Sequence, residues 1–422
     1  MPLPPLIKPM IMPDQPLPRT IRLGNGVLLH LVEGRAEEAL RIDFLFSGGY
    51  GVQRLPLQAL FTNRMLREGT ADYTASEISR RLDYYGAWLE AYVMQGCNRL
   101  TMYSLSKHVE PMLDLLESMV KRPLFPQKNL SVVRNSNKAF YKINSRKVET
   151  VAQRHFENML WGEAHPLGHI VCAEDYDAIT RDSLVEYHNS VYSNSRLEIF
   201  LTGKLDNGVI EALDERFGDG AWGGSFVLPA VDAVPAAPIF GRRNVALDGT
   251  LQSGVKIGFM ALDSDDEDYF KFRFLTVLLG GYFGSRLMSN IREEKGYTYH
   301  IEAEIDAYGK KNAFMITTET ANGYVERLLG EVSSEIELLR DELVSEAELE
   351  LVRNYTLGEL CREYEGAFQK TEAFISVWQS GQPFSALNDY LEAIRTVTAE
   401  ELRELARKYL VQERMSTVVA GM

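Results

Sequence analysis

An α+β fold, made of two homologous domains that each carry a mostly antiparallel sheet covered by helices, is what the sequence predicts. Three observations lead there. The chain has 422 residues, too many for one ordinary core. Both halves close on the same helix-then-strand pattern. Within each half, strand-like stretches come in blocks with amphipathic helices laid on one face, the layout of an α+β unit.

The repeat is visible residue by residue. AITRDSLVEYHNSVYSNSRLEIFLTG (178–203) aligns without a gap on TVTAEELRELARKYLVQERMSTVVAG (396–421), so that Thr180 meets Thr398, Leu184 meets Leu402, Arg196 meets Arg414 and Gly203 meets Gly421. Each copy offers a capping threonine, apolar residues at i, i+3 and i+7, then an alternating strand ending in glycine. Between the copies, FGDGAWGGSFVLPAVDAVPAAPIF (217–240) is rich in Gly, Ala and Pro, the composition of an extended linker. The expected domains are therefore 1–216 and 241–422.

In the first half, TIRLGNGVLLHLV reads as a hairpin about Gly24-Asn25-Gly26. RIDFLF alternates, with Ile42, Phe44 and Phe46 on one face. TASE (74–77) is a capping box opening a helix with Ile78, Leu82 and Tyr85 inward and Gly86 at its end. LTMYSL is a further strand, and Met112, Leu116 and Met119 stripe a further helix. The second half repeats this with the strand GVKIGFMAL, a helix running into GGYFGSRL, strands TYHIEAEI and FMITTE, and helices from about 323 and 345.

Composition narrows the function. Apolar residues at 45% and charged residues at 25% are ordinary globular values. The balance of 45 basic against 59 acidic side chains, net −14, disfavours nucleic acid and anionic membrane surfaces as partners. Cys97, Cys172 and Cys361 are too few and too scattered for a disulfide framework or a paired-cysteine metal site. The amino terminus has no basic start and its apolar runs are broken by proline, unlike a secretory signal, and no stretch approaches the length of a membrane span. A cytoplasmic location is the expectation, with the periplasm open if the chain is a processed form.

Most chemistry-bearing motifs are missing. There is no HExxH or HxxEH, the spacings that set two imidazoles on one helical face for zinc, no GxSxG elbow and no phosphate-binding GxxxxGK[ST]. His165 and His169 in HPLGH flank a proline and a glycine, which reads as a structural turn. DSDDED (263–268) has Asp268 where a calcium loop needs glycine and Phe274 where it needs the bidentate glutamate, so it reads as an acidic lead into a helix. IREEKGYTYH (291–300) is different. Arg292 falls in a last helical turn, Gly296 suits the left-handed residue that ends it, and the reversal can bring Arg292 and Tyr299 onto one surface.

Over residues 18–421 this layout resembles the family of mitochondrial processing peptidase, insulinase and pitrilysin, in its short two-domain bacterial form. SEISRRLDYYGAWLEAY, LTMYSL, KRPLFP and HPLGH carry the likeness in the first half, and LLGGYFGSRLMSNIREEKGYTY in the second. The resemblance implies duplicated α+β domains that pair as a clamshell around a peptide. Active members have HxxEH on the first long helix just before Gly-Thr, with a further glutamate about seventy-five residues on. Here Gly69-Thr70 sets that register on LFTNR: Leu60 and Arg64 stand where the zinc-binding histidines would be, and Asn63 where the general-base glutamate would be. No Asp or Glu occurs between Glu117 and Glu149 to serve as third ligand. A guanidinium has no lone pair for zinc and an amide cannot act as base, so no catalytic residue and no metal ligand is expected in this chain alone. The family's Arg and Tyr, seven residues apart and aimed at the substrate carbonyl, match Arg292 and Tyr299.

Three functions follow as expectations. In the first, the chain is the inactive, peptide-binding partner of a homologue that bears HxxEH and zinc, as a heterodimer or within a self-dimer, and lends Arg292 and Tyr299 to the shared cavity. In the second it is a structural subunit, like the core subunits of the respiratory cytochrome complex. The third is an independent enzyme with another site, for which the sequence offers no constellation.

Overall fold

The computed structural model describes residues 12–34, 38–224 and 237–421. Its first half runs β1 (Arg19–Arg22), β2 (Leu28–Glu33), β3 (Ala39–Ser47), α1 (Gln58–Met65), α2 (Ala75–Tyr85), β4 (Trp88–Val93) and β5 (Cys97–Leu105). There follow α3 (Val109–Lys121), α4 (Gln127–Asn144), α5 (Val148–Trp161), α6 (Ala173–Ala178), α7 (Arg181–Val191), β6 (Leu197–Gly203) and α8 (Asn207–Phe217). The second half has β7 (Gly241–Val245), β8 (Gln252–Met260), α9 (Tyr269–Gly280), a π-helical turn (Met288–Glu294), β9 (Thr298–Tyr308) and β10 (Lys311–Ala321). It ends with α10 (Val325–Asp341), α11 (Glu346–Glu363), α12 (Ala367–Gln379), α13 (Ala386–Thr396), α14 (Ala399–Tyr409) and β11 (Ser416–Ala420).

Each half forms one sheet, and the two share a five-stranded topology to which the first adds β1 at its edge. The first has the order β1-β2-β6-β3-β5-β4, the second β7-β11-β8-β10-β9. In each, the strand that closes the half lies parallel to one neighbour and antiparallel to the other, β6 between β2 and β3, β11 between β7 and β8. The local signals act as expected. Thr74 accepts from the Glu77 amide while the Glu77 carboxylate takes the Thr74 amide at 2.8 Å, and Gly86 ends α2 in the left-handed region. Thr180 and Thr398 cap α7 and α14 alike. Ile42, Phe44 and Phe46 lie on the face of β3 that packs under α1, α3 and α7.

What covers the opposite face of each sheet is the organising feature. α5, from the first half, lies across β8 and β11 of the second sheet and buries Val151, Ala152, Phe156, Met159 and Leu160 against Ala313, Met315, Val418 and Ala420. α12, from the second half, lies across β6 and β2 of the first sheet, with Phe374 in the same core as Val32, Leu45 and Phe200. The two helices occupy matching places in the repeat, so the halves exchange equivalent helices. Each also brings a carboxylate to a buried cation. Glu372 on α12 reaches Arg41 and Arg99 on β3 and β5. Glu157 on α5 faces Lys256 on β8; burial raises the Glu157 pKa and lowers that of Lys256.

Segments outside the repeat bind the halves further. Residues from Met12 lie on the second half, where the Gln15 amide donates to Asn388 at 2.7 Å and Met12 is buried. Phe217 closes α8 inside the first core and Trp222 packs beside it, so the first half continues past 216. Half of the expected 217–240 linker, residues 225–236, lies outside the described residues, as does the amino-terminal stretch 1–11. Among the described residues no helix is long and apolar enough to cross a membrane.

Candidate functional site

The helix that carries LFTNR is built to be rigid. α1 starts after Leu57, which sits at φ 68 and supplies no capping side chain. Gln53 does that work instead, its Oε1 accepting from the Ala59 amide at 3.3 Å, while the buried Gln58 side chain accepts from the Arg54 amide at 2.9 Å and donates to the Ser183 carbonyl at 2.8 Å, fixing the start of the helix. Asn63 is 1% exposed, and its Nδ2 donates to the Tyr92 carbonyl on β4 at 2.6 Å, tying the helix to the sheet edge. Its Oδ1 is buried with no partner among the described residues. Leu60 is half-buried against the first core, and Arg64 is exposed.

These donors do not fit a zinc ion. Arg64 offers only N–H groups and a permanent positive charge, Leu60 offers no donor atom, and Asn63 presents one amide oxygen while its nitrogen is committed to β4. Among the described residues no group of three His, Cys, Asp or Glu side chains could hold a metal ion. The HPLGH turn has other duties: His165 stacks on Trp161 and accepts from the Leu167 amide at 3.1 Å.

His169 is a bridge between two carboxylates, with Nδ1 2.7 Å from Glu163 and Nε2 2.9 Å from Asp175. Burial alone would lower its pKa, but the bonds and charges of Asp175 and Glu163 outweigh that and hold it raised. A raised imidazole pKa contributes stability that is full below the unfolded value of about 6.5 and fades as pH rises through the folded value. The stability lost on His169→Gln is therefore expected to be larger at pH 5.5 than at pH 8.5 in urea titrations of the two proteins. An equal loss at both pH values would show that the bridge is not charged.

Arg292 and Tyr299 come together as the reversal at Gly296 requires. Gly296 sits at φ 67 with open space around its Cα, and the π-helical turn before it hands the chain to β9. Such turns are frequent at functional sites. Arg292 Nε donates to the Tyr299 carbonyl at 2.9 Å, and its guanidinium lies 4.5 Å from the exposed Phe283 ring. Tyr299 is 90% exposed, so its ring is presented to solvent instead of being packed. The base beneath is firm: Tyr297 stacks on Tyr324 at 5.1 Å, and Thr320 donates to the Tyr297 carbonyl at 2.6 Å. Arg292, Tyr297, Tyr299, Glu319 and Tyr324 line a groove of about 660 Å³. No hydrogen bond or ring contact joins this pair to Leu60, Asn63 or Arg64 among the described residues.

Two groups escaped the reading of the sequence. One is the ion-pair set of buried Arg41, Asp43 and Arg99 with half-exposed Glu372, drawn from strands and a helix more than 270 positions apart. The other is the cluster of Tyr141, Arg154 and Tyr176, contributed by α4, α5 and α6. Neither has a local motif.

Comparison with known proteins closes the question of family. The family model described as "Insulinase (Peptidase family M16)" matches residues 58–174, and "Peptidase M16 inactive domain" matches residues 178–355. The uncharacterized zinc protease YmxG of Bacillus subtilis is 21% identical over 356 residues, covering 84% of this chain and 85% of its own. The probable inactive metalloprotease YmfF of the same organism is 21% identical over 239 residues, 56% of this chain and 54% of its own. The crystal structure of a peptidase M16 inactive domain from Pseudomonas fluorescens superposes with a TM-score of 0.85 at 24% identity, covering 96% of this chain and 98% of its own. With two successive models of one family matched from α1 into α11, and the same fold across almost the whole length, this chain belongs to the insulinase (M16) peptidase family.

Proposed function

We propose that this chain is the non-catalytic, peptide-binding subunit of a zinc metallopeptidase, paired with a homologous HxxEH-bearing subunit that supplies the metal and the general base. Arg292 and Tyr299 are its contribution to the shared cavity. The observation that carries this reading is a contrast between two sites in one chain. α1 presents an exposed guanidinium and a sheet-bound amide where a metal would need ligands, while the arginine-tyrosine pair stands on a firm base with its ring open to solvent. Donors held in advance where negative charge develops on a carbonyl oxygen are the usual means of assisting peptide hydrolysis. A heterodimer suits this better than a self-dimer, since two copies would bring two donor sets unsuited to zinc.

The test is reconstitution. The chain, an HxxEH-bearing homologue from the same organism, and their mixture are assayed with zinc against a fluorogenic peptide pool. Cleavage confined to the mixture, or at least tenfold faster there, is the expected result. Equal cleavage by the homologue alone, with no complex on gel filtration, would remove the proposal.

A further inference from the structure

α4 is a bare helix. Of its eighteen residues only Leu130 is fully buried, and Val133 and Tyr141 join it in packing on the first core. Val132, Phe140 and Ile143 are instead 63, 64 and 62% exposed. With Ser136 and Ala139, also exposed, they recur at i, i+4, i+7, i+8 and i+11, which makes one stripe along the helix. Apolar residues scattered singly over a surface are ordinary, but a continuous exposed stripe marks a face that another molecule covers.

The charge beside the stripe is of one sign. From Ser118 to Val148 there are eight basic residues and no acidic one, in a chain of net charge −14. Lys128, Lys142, Arg146 and Lys147 are exposed, and their side chains make no ion pair among the described residues. The acids of the neighbouring α6 are engaged, Asp177 with Lys138 at 2.6 Å, Asp175 with His169 at 2.9 Å and Glu174 with Cys172. Glu149, at the start of α5, is the first acid beyond the run.

The second half carries the opposite surface. Between Glu331 and Glu350 there are eight acidic residues against one basic, Arg340. This stretch spans the corner where α10 turns into α11, and there Leu338, Leu343 and Leu351 are 41, 46 and 57% exposed. Some of the acids are used within the subunit: Glu348 pairs with Arg286 at 2.8 Å, Glu350 with Arg353, and Glu331 and Glu335 accept from Asn290. Asp341, Glu342 and Glu346 are exposed and pair with no cation among the described residues. The nearby Arg407 is bound to Glu404 and to the Arg340 carbonyl.

One chain thus holds a basic apolar face and an acidic apolar face, each with charges left over. Apolar contact supplies affinity in such a pair, and opposite charges select the partner and fix the register. We propose that the exposed face of α4 docks on the α10–α11 corner of a second copy of this chain, the apolar stripe packing among the corner leucines while Lys142 and Arg146 face Glu342 and Glu346. Because it joins two different faces, the contact closes into a pair where a two-fold axis satisfies both at once, and otherwise continues head to tail. It adds no metal ligand and includes neither Arg292 nor Tyr299, so it stands apart from the partnership proposed above.

Two charge-reversed variants of the full-length chain test the contact: Lys142→Glu with Arg146→Glu on α4, and Glu342→Lys with Glu346→Lys at the corner. All four positions are exposed, so both variants should fold. In sedimentation velocity the unaltered chain should associate as its concentration rises at about 50 mM salt, and less at about 500 mM, where screening is stronger. Each variant alone should associate at least about tenfold more weakly, because like charges then meet. An equimolar mixture of the two should regain the association, since each α4 then meets a corner of opposite charge. A chain that stays monomeric at low salt, variants that associate like the original, or a mixture no stronger than its parts would overturn the proposal. So would a monomeric chain that binds anionic vesicles through α4, which would assign the face to a membrane.

Discussion

Replacing Asp43 by alanine is expected to destabilise the protein by about 3–5 kcal/mol, the cost of leaving buried charges without their partner. The Asp43 side chain is fully buried, with Oδ2 2.8 Å from Arg41 Nε and Oδ1 2.8 Å from Arg99 Nη2, and it also accepts from Thr101 at 2.7 Å. Arg41 is itself 2% exposed, so removing the carboxylate leaves two guanidinium groups in a space that water reaches poorly. Glu372 compensates only in part, because it already serves both arginines and its side chain is half-exposed. For the same reason Glu372→Ala should cost less than Asp43→Ala. Urea unfolding at constant slope measures both; a loss below about 1 kcal/mol for Asp43→Ala would mean that water enters and screens the pair.

Within the reconstituted complex, Arg292→Ala combined with Tyr299→Phe should lower kcat/KM for peptide cleavage by about 10²–10³, the loss associated with one or two donors to a developing oxyanion. The magnitude separates two roles. Donors that act only as charge develops lower kcat with KM little changed, whereas contacts that merely hold the peptide raise KM. Stability should move by no more than about 0.5 kcal/mol, since Tyr299 is open to solvent and Arg292 bonds only a backbone carbonyl. Full activity in the double variant would leave the pair without a catalytic use.

Local features were legible in the sequence because their causes are local. The Thr74 to Glu77 capping box, the Gly86 and Gly296 terminations and the paired threonine caps of α7 and α14 each depend on a few consecutive residues. The duplication was legible because its register has no gap. The burial of Arg41 and Asp43 was not, since alternation along β3 identifies the apolar face and is silent on what α12 later lays over the other. Likewise LFTNR shows which donors are absent at α1, but the cluster of Tyr141, Arg154 and Tyr176 comes from three helices joined only by packing. The solvent-facing ring of Tyr299 was not legible either, because alternation along β9 does not announce that β9 lies at the edge of its sheet.

The reciprocal placement of α5 and α12 bears on ancestry. A lone ancestral unit of this kind would have had either to fold its own arm back over its sheet or to leave that side bare. In the exchanged form such a polypeptide completes its core by clasping its twin, each lending an arm to the other. Gene fusion would then have recorded in one molecule a partnership that two separate molecules had already made.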